Sequence, residues 1–453
     1  MSVSTAPRWP RAMGQNGTSD SSVSTWEPLF QSVAAKLYPR LALFKALAGF
    51  KDAHRQREPS GDVICEARRD FLGSFAYLCD TDKGGATVTA AALQKLLHSN
   101  ILWLAANEGM DKETISYAER ILQKLKELES RPPKAVHEEI FRLVVDRCTP
   151  RINFYISKLK MYARNCRMQM RQEMPSERVS DLRSKLKKLA EPPPSMTLAD
   201  LVDRCHAMRG ADIDEIRKRS KKRDDDFREL AHYIGRVGAT RSSTNAVVDG
   251  MLKVPSLRKI SGIRPISAPE TREMSVGQGF TSPYEIVWAI CKESPYPHPV
   301  QMKSALHAVV DFDHPLNGEI RDSLASRPSI VTRVHAELQI ADRFSRDRYE
   351  FVDGDMYIGC SKPACYFCHR WLGHHKLKFV LPATHDKIIV GCRGPDDDVK
   401  NRGVTVLTEM YKKVCGSLNQ DILEFLLKVQ DGEAQVRHHY MSTEGSSRAP
   451  SRI

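Results

Sequence analysis

Three of the chain's eleven cysteines fall within nine positions of "GCSKPACYFCHRW", Gly359 to Trp371. That stretch constrains the fold more than any other. "MYIGC" (Met356 to Cys360) is strand-like, and "SKPACYFCHRWL" then reads as a helix, with Ser361 as N-cap and Pro363 in its first turn. Cys365 and Cys368 are i and i+3, so they share one helix face near its N-terminus. Backbone N–H groups and the helix dipole lower thiol pKa there, which favours thiolate ligands. Eleven cysteines in 453 residues are too sparse for a disulfide scaffold. A reducing intracellular setting, cytoplasmic or nuclear, is the expectation, and clustered thiols there mean metal or chemistry.

A partner for these thiols lies upstream. "SIVTRV" (Ser329 to Val334) is short and β-branched and reads as a strand, and the residues from His335 onward favour helix. Deep inside a helix, residues two apart diverge. At a strand-to-helix junction, His335 and Glu337 can converge beneath the helix N-terminus, whose dipole favours a carboxylate. "LKFVLPA" (Leu377 to Ala383) reads as a third strand. The order strand, helix, strand, helix, strand brings two helix N-termini to one sheet edge, where open α/β sheets bind ligands. One His and two Cys give a tetrahedral zinc three protein ligands and leave the fourth position for water. A carboxylate beside that water, not itself a ligand, can move its proton to a departing amine. H-x-E followed by C-x-x-C is close to the signature of zinc deaminases of nucleobases.

On these residues the chain resembles the cytidine-deaminase-like superfamily of zinc hydrolases, and within it the predicted nucleic acid/nucleotide deaminase family found widely in fungi. The cysteine motif of that family, S-K-x-x-C-x-x-C, is met by Ser361-Lys362-Pro363-Ala364-Cys365-Tyr366-Phe367-Cys368, paired with His335-Ala336-Glu337. The resemblance covers roughly residues 280–430. It implies a three-layer α/β/α domain, with His335, Cys365 and Cys368 as Zn2+ ligands and Glu337 as proton shuttle. It also implies a nucleobase-containing substrate, free or within nucleic acid. Better-known deaminases place Pro directly before the first ligand cysteine; here Ala364 follows Pro363, which leaves Cys360 to be weighed against Cys365.

Other readings of the same residues remain open at this level. Cys360 reads as a buried small hydrophobe. A closed structural zinc site would join Cys360, Cys365 and Cys368 to His369, His374 or His375, making the domain a non-catalytic interaction module. Ser361 and Lys362 are candidates to line a substrate pocket. Tyr366, Phe367 and Trp371 could stack on a base, or form the apolar face of their helix. "CYFCH" also matches c-type haem attachment, against which stand the missing export signal and the unexplained HAE half.

The rest of the chain is less specific. Apolar content of 41% supports real cores, and net charge +13 favours an anionic partner. No apolar run reaches membrane-spanning length, so no membrane partner is expected. Residues 1–25 and the tail 431–453 are expected to be disordered. Residues 26–252 read as an all-α region, including "TVTAAALQKLLHSNILWLAANEG" and "HEEIFRLVVDRC", whose partner the sequence does not reveal. Thr197 caps one of its helices, with Asp200 completing a capping box. Residues 253–283 read as a linker and 284–430 as the zinc domain. "IRKRSKKRDDD" (Ile216 to Asp226) reads as a solvated helix whose charges pair along one face.

Overall fold

The computed structural model describes residues 27–48, 55–174, 176–221, 225–275, 282–293, 299–310, 329–395 and 404–431. The expected disordered N-terminus, nearly all of the tail, the middle of the basic run and residues 276–281 of the expected linker lie outside them. The architecture is mixed helix and sheet.

Four strands form the larger sheet, in the order β3-β2-β1-β6. β1 (Thr89–Lys95) and β2 (Asn100–Ala106) are an antiparallel hairpin closed by Leu96 N–H on Ser99 O at 2.9 Å. β6 (Gly359–Cys360) pairs antiparallel with β1, and β3 (Ile260–Ile266) pairs parallel with β2. The smaller sheet has the order β4-β5-β7, from Arg272–Ser275, Ser329–Val334 and Cys392–Arg393. β4 runs antiparallel to β5, and β7 runs parallel to it.

Two expectations are corrected here. The stretch "TVTAAALQKLLHSNILWLAANEG" is the β1–β2 hairpin, not a helix, so the region before residue 252 is not all-α. Six of the seven residues of β1 and all of β2 are buried. A strand covered on both faces is a continuous apolar run, which periodicity does not separate from buried helix. Likewise the expected linker contains β3, whose Pro265 lies on an edge strand, where it is tolerated. The expectations for "HEEIFRLVVDRC" (helix Pro133–Arg147) and for the Thr197/Asp200 capping box hold.

Alternate residues of the hairpin enter two different cores. Ala90, Ala92, Ile101 and Trp103 face the core that holds the metal-ligand candidates. Ala91, Leu93, Leu102 and Leu104 face the core built with the helices between β2 and β3. Helix Ala336–Arg346 packs on β1 and β2, and helix Val63–Cys79 packs on β1 and β6. The long helix Asp226–Lys253 is the axis of the helical block: Val63–Cys79, Pro133–Arg147, Thr149–Gln169, Leu198–Ala207 and Ala211–Lys218 all pack on it. Gly238 permits the close approach of Leu198–Ala207, since a Cβ there would stand 2.8 Å from His206 N. Helix Val404–Gln430 closes the other core against Glu27–Ala48, Pro299–Val310 and Tyr366–His374. Among the described residues no helix is long and apolar enough to cross a membrane.

Candidate metal centre

β5 ends at Val334, and His335 is the N-cap of helix Ala336–Arg346, with extended backbone (φ −71°, ψ 155°). The junction expected from the sequence is therefore met residue for residue. The second half starts later than expected. Cys365, not Ser361, is the N-cap of the helix Tyr366–His374, and Cys368 lies in its first turn. The two helices follow strands of different sheets, β5 and β6, rather than one sheet edge. The expected third strand is reduced to a single parallel bridge, Tyr357 with Val380.

These two N-termini meet. His335 Nδ1 lies 3.5 Å from Cys365 Sγ and 3.3 Å from Cys368 Sγ. A fourth donor completes the cluster: Cys392, on β7, has its sulfur 3.6 Å from that of Cys368. The four donor atoms all lie within 4.8 Å of one another and could hold a metal ion. Tetrahedral zinc, with bonds of about 2.3 Å to sulfur and about 2.0 Å to nitrogen, sets S···S near 3.8 Å and N···S near 3.5 Å. The two N···S distances and the Cys368–Cys392 separation lie within a few tenths of an ångström of these values. His335 is half-buried and the three cysteines are buried. Burial opposes ionisation of Cys365, but hydrogen bonds from Cys368 and Cys392 and the charge of His335 outweigh it and hold its pKa well below the thiol range.

Glu337 is 5% exposed and lies in the first turn of helix Ala336–Arg346, two residues after His335. Burial raises its pKa, His335 opposes the rise, the Cys365 charge adds to it, and a hydrogen bond with Cys368 opposes it. Behind it, Gln339 Nε2 donates to Ala106 O at 3.0 Å and to Val334 O at 2.9 Å, pinning the helix to the ends of β2 and β5. Asn107 does the same from the other side. Its Oδ1 accepts the Ala336 N–H at 2.8 Å, and its Nδ2 donates to Gly85 O at 2.8 Å.

The remaining sequence candidates separate clearly. Cys360 is outside the cluster; its thiol reaches Ile358 O at 3.6 Å on β6. Ser361 accepts Thr89 N–H at 3.1 Å and donates to Asp80 Oδ2 at 3.1 Å, stitching β6 to the hairpin. Lys362 Nζ donates to Gly84 O at 2.5 Å. Tyr366 and Trp371 are 3% and 2% exposed, so they are core rather than open base-stacking platforms. Tyr366 donates to Asp421 at 2.5 Å, and Trp371 meets the Tyr411 ring edge-on at 5.2 Å. His374 pairs with Ser417 Oγ at 2.8 Å and His375 packs on the Phe379 ring, so neither joins the thiols.

Cys392 and Asn107 were not found by sequence reasoning. Cys392 sits 24 residues beyond Cys368 in "VGCRG", with no motif to announce it. Asn107 follows a strand that reads as helix.

Residues 334–396 match the family of OTT_1508_deam-like deaminases, a cytidine-deaminase-like family. The match spans both halves of the cluster, from before His335 to beyond Cys392. No curated protein matches the chain, and no solved structure does.

Proposed function

We propose that the protein is a zinc-dependent hydrolytic deaminase of a nucleobase-bearing substrate, with His335, Cys365 and Cys368 holding the metal and Glu337 moving the proton. The observation that carries this reading is the buried Glu337 carboxyl beside the cluster. Three thiols and an imidazole already suffice for a structural zinc, and an acid buried against them adds only desolvation cost. A deaminase needs that acid in that place. When bound, zinc supplies a water of lowered pKa. Glu337, its own pKa raised, takes one proton from water and passes it to the ring nitrogen as the oxygen bonds to the ring carbon, then carries the added hydroxyl's remaining proton to the amino group as the C–N bond breaks and ammonia leaves. Gln339 and Asn107 hold the helix that carries both His335 and Glu337.

The layering of helix Val63–Cys79, the β1–β2 hairpin and helix Ala336–Arg346 supports a three-layer α/β/α unit. We take that unit to include residues 63–106 and 260–266 as well as the expected 284–430, because they supply most of the sheet. Residues 112–253 are then a helical block set into the unit. Eleven free cysteines suit a cytoplasmic or nuclear setting.

Cys392 favours a second reading, a closed four-donor zinc site in an interaction module. With its sulfur on the metal no place remains for water, so turnover requires Cys392 to stand off. Ammonia release by the zinc-loaded 453-residue chain, assayed against bases, nucleosides, nucleotides and single-stranded DNA and RNA, decides between them. Release abolished by Glu337→Gln at unchanged zinc content supports the deaminase. A fully zinc-loaded protein inert toward the whole panel supports the module.

A further inference from the structure

Beside the metal cluster lies a second group of charged residues that the proton chemistry does not use. Lys362, three residues before Cys365, places its Nζ on Gly84 O at 2.5 Å and 3.5 Å from Asp80 Oδ2. Arg151 donates to the carbonyls of Tyr77, at 3.1 Å, and of Asp80, with its guanidinium 4.2 Å from the centre of the Tyr77 ring. From the same helix, Phe154 receives Lys83 Nζ over its ring at 4.1 Å, and Tyr155 lies 6.0 Å from the guanidinium of Arg236. Burial and then the charges of Lys362, Arg236 and Lys158 depress the pKa of Lys83. Burial also depresses Lys362; Asp80 opposes the fall, and Arg236 and Arg151 add to it. Lys158 stands one turn beyond Phe154 on the same face of helix Thr149–Gln169, so it shares that face with the ring that Lys83 covers.

Asp80, the carboxylate nearest Lys362, is already engaged by the hydroxyls of Ser361 at 3.1 Å and Thr87 at 2.8 Å. Two of the cations are buried with donors unused. Arg236 is 5% exposed and its Nε has no hydrogen-bond partner among the described residues; Arg151 is 1% exposed and its Nε and Nη2 have none there. Buried guanidinium donors left unpaired are costly, and a phosphate, with several acceptor oxygens and one or two negative charges, satisfies them. The place is also right. The loop carrying Lys83 and Gly84 is tied at Gly85 to Asn107, which holds Ala336, the residue after His335.

We propose that Lys83, Lys158, Arg236 and Lys362 bind the phosphate of a nucleotide unit, so that the neighbouring metal centre receives a phosphorylated substrate rather than a free base or nucleoside. The assignment of substrate class rests on the deaminase reading; the phosphate site itself does not.

Calorimetric binding to the zinc-loaded 453-residue chain tests it, with inorganic phosphate, cytidine, CMP, adenosine, AMP and a short single-stranded oligonucleotide as probes. A nucleotide is expected to bind at least about tenfold tighter than its nucleoside. The double variant Lys83→Gln/Lys158→Gln, on partly exposed residues, is expected to erase most of that advantage and reduce the salt dependence, with zinc content unchanged. Arg236→Gln is the second, buried variant. A preference for CMP or AMP assigns a monoester; a preference for the oligonucleotide with a steep salt slope assigns the backbone diester. Equal binding of nucleoside and nucleotide, or wild-type binding in both variants, overturns the proposal. Nucleosides deaminated as fast as nucleotides would leave the deaminase standing and remove the phosphate site from its substrate. Phosphate binding lost in the variants, with no ammonia released from any probe, would leave the phosphate site standing alone.

Discussion

Asn107 and Ala336, 229 residues apart in the chain, share a 2.8 Å hydrogen bond that satisfies the first free N–H of the helix carrying Glu337. Helix N-termini leave such donors orphaned, and a side-chain cap contributes about 1 kcal/mol. Asn107→Ala also frees Gly85 O. The variant is expected to lose about 1–2 kcal/mol in urea unfolding and to bind zinc more weakly, because the start of the helix that His335 caps is no longer held. Wild-type stability in this variant would show that the cap is idle.

Glu337→Gln keeps the shape of the side chain and removes its proton chemistry. General acid–base groups contribute about 10²–10⁴-fold. Ammonia release is expected to fall by at least about a hundredfold, with zinc still bound at one equivalent by metal analysis. Loss of zinc in this variant would instead make Glu337 part of the ligand field.

Cys392→Ser separates the two readings of the metal. If three ligands carry the ion, the variant keeps its zinc at a moderately reduced affinity and continues to release ammonia, while Cys365→Ser loses the metal. Chelator competition measures the order. Equal loss from both variants would place Cys392 in a closed shell.

Gly359 lies where β6 crosses helix Val63–Cys79. A Cβ there would overlap the backbone of Leu72 and Gly73, neither of which can yield as a flexible side chain would. Gly359→Ala is expected to destabilise by roughly 2–4 kcal/mol and to lower metal affinity through the displaced β6–Cys365 segment. A thermal melt with and without added zinc measures both effects.

Glu66 accepts Arg57 at 2.9 Å and 2.5 Å and Ser60 N–H at 2.6 Å. The Arg57 hydrogen bonds hold its pKa down to about 2, with burial opposing them and the Ser60 bonds assisting. A carboxyl depressed in the folded state adds stability above its unfolded pKa, here 4.5, and that stability is lost as pH falls through the folded value. The loss therefore falls between about pH 4.5 and pH 2. Wild-type and Glu66→Gln proteins should converge in stability across that window and differ by a constant above it. Parallel pH profiles throughout would leave the Arg57 pair without an energetic role.

Much of the chemistry was legible in the chain because it is local. Ser329–Val334 was readable as a strand from β-branching, and His335 as the junction from the helix formers after it. The Cys365–Cys368 spacing needs no tertiary context. What escaped was non-local. The hairpin is hidden because both of its faces are covered, so it lacks alternation. Cys392 reaches the site through the pairing of β7 with β5, which no spacing rule encodes. Tyr366 and Trp371 sit beside a ligand in sequence but face Asp421 and Tyr411, on the helix Val404–Gln430.

The helical block between β2 and β3 sets a schedule for biosynthesis. At about 5–20 residues per second, a ribosome needs roughly 11–46 s to travel from Asn107 to Ala336, a separation of 229 residues. Through that interval the helices that cover one face of the hairpin are made, while β6 and the helix Ala336–Arg346 that covers Ala90, Ala92, Ile101 and Trp103 are still untranslated. A ribosome-stalled chain ending near residue 300 is expected to present that second apolar face to chaperones.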